Sequence, residues 1–175
     1  MDENFWKDAY QDAWVPSSER EKRLAKYLFE VTGKKLLPVG LGAESTQYIS
    51  GSARRNGYEK GDADFVVAGT NIYIEVTGPL VKSVTPSDPL WFRPDKIENA
   101  ISHPDHDVFL VHHCMSADLW RVIHVDGTFK KRYRNGEFPM ITRLIRGNRE
   151  QYIEIDAGDP CIEPFDTLVA YILQS

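Results

Sequence analysis

With 175 residues, 42% of them apolar and 27% charged, the chain has an ordinary globular composition and enough length for one full hydrophobic core. The net charge of −5 excludes a uniformly basic nucleic-acid coat, and no apolar run approaches the roughly 20 residues of a membrane span. Cys114 and Cys161 form no CxxC pair, which excludes the usual zinc and dithiol motifs. With the acidic start MDENFWKDAY, unlike a signal peptide, this sets a reduced, cytoplasmic protein as the expectation.

Residues 1–16 carry Trp6, Tyr10, Ala13 and Trp14 at helix-like spacing and read as a short arm that Pro16 ends. Ser18 and Glu21 then form a capping-box signature. Leu24, Tyr27, Leu28 and Val31 continue as an apolar stripe, which predicts a helix over 19–32, stopped near Gly33. Residues 36–50 read as extended, and 50–61, SGSARRNGYEKG, as a glycine-rich basic loop. DADFVV and NIYIEV are two strands joined by AGTN. A proline-rich segment, 78–94, leads to a helix from Asp95 to about Ser102. DVFLVHH, WRVIHVD and YIEID are further strands, and Phe165, Leu168, Val169 and Ile172 give a last helix its period.

These elements predict a single mixed α/β domain over residues 1–175. The arm is 1–16, the core 18–114, and residues 115–175 form a C-terminal extension of strands and a final helix. Between Trp120 and Arg149 eight Lys/Arg face two acids, Asp126 and Glu137, so an acidic chain carries one basic region.

The informative stretch is DADFVVAGTNIYIEVTG. An antiparallel hairpin with Gly69-Thr70 at its turn pairs residues whose numbers sum to about 139, which sets Asp64 opposite Glu75. Asp62 falls on the same face, and Phe65, Val67, Ile72, Ile74 and Val76 form the opposite, core-facing side. Like charges directly opposite each other destabilise a hairpin. A divalent cation between them turns repulsion into coordination, and Mg²⁺ suits carboxylate oxygens.

Ala63-Asp64 and Glu75-Val76-Thr77 on such a hairpin, with a helix before and a helix and strand after, resemble the PD-(D/E)xK nuclease superfamily. The resemblance covers roughly residues 18–114. It implies a restriction-endonuclease-like core, a mixed sheet flanked by helices in the order α-β-β-β-α-β. It also implies metal-dependent hydrolysis of phosphodiester bonds, with Mg²⁺ or Mn²⁺ held by Asp64, Glu75 and the Val76 carbonyl. The motif lysine is replaced by Thr77, so the resemblance makes Thr77 a catalytic position without its cation. Lys96, in RPDK, or Lys82 is the candidate to supply it. Glu21, Glu44 and Asp62 are further candidate acids; Glu21 is the one the family's first-helix glutamate suggests, and capping Ser18 is its plainer role. Arg54, Arg55 and Lys60 before the hairpin, with Lys130, Lys131, Arg132 and Arg134, are the expected phosphate contacts. The expected partner is nucleic acid, DNA ranked ahead of RNA although no residue separates the two, and a homodimer is compatible with the chain's size.

Gly51-Ser52, a spacer, then Asp62-x-Asp64 also resembles nucleotidyltransferases of the DNA polymerase beta type. There the two aspartates would bind Mg²⁺, with Glu75 as a third ligand. A non-catalytic binding domain on the nuclease-like fold is the remaining alternative. His103, His106, His112 and His113 lack the i, i+4 spacing of a helical zinc site and read as a loop and a strand end.

Overall fold

The computed structural model describes residues 3–39, 63–145 and 147–175. Helix α1 (Glu3–Thr32) opens the chain, followed by strands β1 (Leu36–Pro38), β2 (Phe65–Val67), β3 (Ile72–Thr77) and β4 (Leu90–Phe92). Helix α2 (Pro94–Ser102), β5 (Asp107–Cys114), β6 (Leu119–His124) and helix α3 (Gly127–Arg134) come next. Strands β7 (Met140–Ile145), β8 (Asn148–Ile155) and β9 (Ile162–Pro164) and helix α4 (Phe165–Leu173) complete it. The main sheet has the order β1-β2-β3-β5-β6-β9, and a smaller sheet has the order β4-β8-β7. Pairing is antiparallel except between β3 and β5. No described helix is long and apolar enough to cross a membrane.

Alternation along the strands divides the core in two. One face of the main sheet turns Phe65, Val67, Ile72, Ile74, Phe109, Val111 and Val122 towards Leu24 and Leu28 of α1 and Leu168 and Ile172 of α4. Each such fully buried side chain contributes about 1.5–3 kcal/mol. The other face turns Val108, Leu110 and Ile123 towards Ile97 and Ala100 of α2, Phe129 of α3 and the small sheet's Leu90, Phe92, Ile153 and Ile155. A parallel β3–β5 pair needs a crossover, and that crossover carries α2 over the second face. The acid-bearing face of the hairpin is therefore covered, and Glu75 is only 8% exposed.

Several sequence expectations change. Pro16 does not end an arm, because α1 runs unbroken from Glu3 to Thr32. A proline inside a helix removes one backbone hydrogen bond, which flanking turns can absorb. Ser18 is thus no helix cap, and the capping role for Glu21 falls with it. The proline-rich segment contains β4, which its alternation over three residues is too short to announce. The basic run 130–134 lies on a helix, because Asp126 caps it by accepting from the Phe129 N–H at 2.9 Å and Phe129 anchors it in the core. Residues after 114 add β6 and β9 to the main sheet, and both cysteines are free thiols.

The exit from β3 is fixed by Gly78. Its φ is 150°, and a Cβ there would stand 2.0 Å from the His113 carbonyl oxygen. Arg20 locks this exit by donating from its two terminal nitrogens to the Gly78 and Pro79 carbonyls at 2.9 and 2.8 Å, and from Nε to His113 Nδ1 at 3.1 Å. Strain and collision act together, so Gly78→Ala is expected to lose about 2–4 kcal/mol of stability. Denaturant unfolding of the variant checks this; unchanged stability would mean that β3 and β5 do not close against each other here.

Candidate active site

Asp64 stands immediately before β2, and the Phe65–Ile74 and Val66–Tyr73 pairs continue to Asp64 opposite Glu75. This is the register the sequence predicts. The Val76 N–H donates to Asp64 Oδ2 at 2.8 Å, so the carboxylate is aimed across the hairpin rather than along it. From the second face, α2 brings the Lys96 ammonium to 3.1 Å from Glu75 Oε2. Pro94 at the first position of α2 and Ile97 and Ala100 on its buried side set the helix so that Lys96 points at β3. Both partners are largely withdrawn from water, with side-chain exposures of 17% for Lys96 and 11% for Glu75.

Burial above all pushes Glu75 well above the usual carboxylate range, and the nearby Asp64 charge adds to it while Lys96 opposes it. Burial likewise raises Asp64, against the pull of Lys96, the Val76 N–H and a hydrogen bond with Glu75. The Lys96 ammonium is held above its ordinary value: burial lowers it, and Glu75 and Asp64 together outweigh that. Two acids against one lysine leave one negative charge in excess when both are ionised. A proton or a cation must cover it.

The donor set is hard oxygen, which fits Mg²⁺ or Mn²⁺ bound with several of its own waters. Among the described residues no group of three or more His, Cys, Asp or Glu is placed to hold a metal ion; Asp64 and Glu75 form the facing pair. Beside Glu75 and Lys96 lies a cavity of about 20 Å³, also lined by Tyr73, Asn99, His106 and Val108. That volume takes one water-sized group.

The remaining expected residues divide. Thr77 ends β3 on the Glu75 side, paired with His112 of β5, and brings no charge. Lys82 is exposed in the segment after Gly78, whereas Lys96 reaches Glu75. Glu21 is buried on α1, yet the described charges acting on Asp64 and Glu75 are each other and Lys96. Asp62, Glu44, Arg54, Arg55, Lys60 and the Gly51-Ser52 turn lie outside the described residues. Lys131 and Arg134 are exposed on α3 and Lys130 half-buried. Arg132 is no open phosphate contact: its guanidinium holds Asp159 through two bonds of 2.8 Å and lies over the Phe138 ring. A carboxylate 27 positions away gives no local signal, which is why the sequence counts Arg132 with its neighbours.

Tyr73 and Asn99 line the cavity though sequence reasoning does not single them out, and His106, read there only as part of a loop, joins them. The signals were present: Tyr73 is two residues before Glu75 on one strand face, and Asn99 follows Lys96 at i+3 on α2. His112 is only 4% exposed, and burial, helped by Arg121, Arg20 and His113, holds its imidazole down at about 3. Its folded value lies below the unfolded one, near 6.5, so it contributes stability above that pH which is lost as pH falls towards about 3. The stability difference between wild type and His112→Asn is therefore expected to move in favour of the variant on acidification. Denaturation at intervals from about pH 7 to 4 checks it.

No protein-family model matches the chain, and no curated protein matches it. Among solved structures it superposes on D212, a nuclease from a fusselovirus, with a TM-score of 0.49 and 12% identity over 93% of this chain and 90% of that one. A likeness at that level assigns no residue a role. The mixed α/β architecture and the centre of two carboxylates and one lysine stand on the geometry just described.

Proposed function

We propose that the chain is a metal-dependent nuclease, hydrolysing phosphodiester bonds on a PD-(D/E)xK, restriction-endonuclease-like core. The observation that supports this reading is the meeting of Asp64 and Glu75 across β2–β3 with the Lys96 ammonium delivered from α2, 3.1 Å from Glu75. Lys96 takes the part that the motif gives to a lysine two residues after the second acid, where this chain has Thr77. Asp64 and Glu75, with the Val76 carbonyl, would hold Mg²⁺ or Mn²⁺, and the cation would supply Lewis acidity to the phosphate and its attacking water. Lys96 fixes Glu75 and presents positive charge where charge builds on the phosphate. Lys130, Lys131 and Arg134 on α3, together with Arg54, Arg55 and Lys60, would hold the nucleic-acid backbone.

The test incubates labelled DNA and RNA with the protein and Mg²⁺, Mn²⁺ or EDTA, beside Asp64→Asn and Glu75→Gln. Metal-dependent cleavage lost in both variants supports the nuclease. Incorporation of labelled nucleotide without cleavage makes it a nucleotidyltransferase using Asp62 and Asp64, and the absence of either reaction leaves a binding domain.

A further inference from the structure

The cavity beside Glu75 and Lys96 continues into a column of stacked rings. Tyr73 and His106 lie with centroids 3.9 Å apart and planes 11° apart, and His106 and His103 follow at 4.8 Å and 17°. Two of these residues, Tyr73 and His106, line the cavity itself with Asn99. The rings come from separate elements: Tyr73 from β3, His103 from the end of α2, and His106 from the connection to β5. None of the three is fully buried; Tyr73 packs its inner edge on the second-face core, and the two histidines lie outside that core. Packing alone does not call for three polar rings in register at a partly open surface. His106 lies between the other two rings, so Tyr73 stands at the cavity end of the column, where a nucleobase can extend the stack.

The dimensions agree with a nucleotide. Tyr73 and Glu75 stand two residues apart on one face of β3, roughly 6.5 Å along the strand, so a base on Tyr73 and a phosphate at the carboxylates can belong to one nucleotide. The cavity admits only a water-sized group, so a base would lie at its mouth and join the column beside Tyr73.

We infer that this column is a nucleobase-stacking subsite, and that the chain acts on unpaired nucleotides rather than within an intact duplex. A base inside a duplex has both faces covered by its neighbours and has none to offer Tyr73. The position of the phosphate rests on the nuclease reading; the stacking does not.

The test is a binding cycle in EDTA, where no cleavage intervenes. The probes are a fluorescein-labelled single-stranded 12-mer, the same strand with an abasic site stepped along it, and the corresponding duplex. Tyr73→Leu keeps apolar volume against the core and removes the aromatic face. It is expected to weaken single-strand binding by about 5- to 150-fold and to leave duplex binding unchanged. One abasic position should cost wild type the same factor and cost Tyr73→Leu little more, since both changes remove one contact. Equal losses for single strand and duplex, or abasic and side-chain effects that multiply independently, would overturn the inference. His106→Leu, outside both apolar clusters, serves if Tyr73→Leu fails to fold. The two readings fail separately: cycle coupling without cleavage in Mg²⁺ would sink the nuclease and keep the subsite, and cleavage without coupling would do the reverse.

Discussion

If Glu75 holds the metal as proposed, a Glu75→Gln chain is expected to lose metal-dependent cleavage by more than about a hundredfold and yet to melt at a higher temperature than wild type. Loss of a group merely supporting a metal ligand already lowers affinity or activity by about 10–100-fold, so loss of a ligand itself should exceed that. The stability effect has the opposite sign because of the charge count. Glu75 sits 8% exposed beside Asp64, and both press on one ammonium. Removing one partner of a buried ion pair usually destabilises, since the other is left uncompensated. Here Asp64, whose charge also raises the Lys96 ammonium, remains beside it. Glutamine thus converts two acids and one base into one of each, and keeps the shape. A gain of about 0.5–2 kcal/mol, or a few degrees at this chain length, is the size expected when a strained functional group is relieved. Calorimetry in EDTA measures it. A lower melting temperature would show that Glu75 is there to hold α2, not to bind an ion.

The hairpin was readable because its evidence is local. Period-2 alternation and a two-residue turn fix the register without any knowledge of the rest of the chain, and Asp64 opposite Glu75 follows. The long strands β5 and β6 and helix α4 were readable for the same reason. Elements that depend on distant partners were not. β4 is three residues long and is a strand only because Ile153 and Ile155 of β8 lie beside it, about 60 positions away. Strand β7, unpredicted, is exposed along much of its length and takes its order from β8. The site divides in the same way. Glu75 could be placed on a face, but its burial could not, because the cover arrives with α2 and the small sheet through the crossover. Lys96 could be named as a candidate from its position in the first turn of the next helix. Its distance to Glu75 depends on how α2 lies on the sheet, which Ile97 and Ala100 decide by packing against the core. Composition likewise overstated Arg132, whose partner is remote.

Moving the lysine is the sharpest test of the proposal that α2 supplies the charge Thr77 lacks. Lys96→Met is expected to lower kcat by about 10²–10³-fold, the usual consequence of removing one preorganised charge from a reaction centre. It should also cost roughly 1–3 kcal/mol of stability, because the Glu75 oxygen at 3.1 Å loses its partner. The loss stays below that of a fully severed buried pair, since burial already holds Glu75 well above the usual carboxylate range and makes taking up a proton the easier relief. Thr77 lies on the same face of β3 as Glu75, two residues on, which in an extended strand is roughly 6.5 Å along. A lysine side chain can fold back over that distance. The double variant Lys96→Met with Thr77→Lys should therefore recover part of the lost kcat, while Thr77→Lys alone adds little to a site that already has its cation. Recovery distinguishes a charge needed at the phosphate from a helix anchor, because a lysine on β3 cannot restore a contact between α2 and the sheet. If the double variant regains neither stability nor activity, Lys96 acts as a helix anchor, and the positive charge must come from elsewhere. If it regains activity, the same chemistry has been served from two different elements, and the sequence motif is one of two ways to deliver a single ammonium to the same pair of carboxylates.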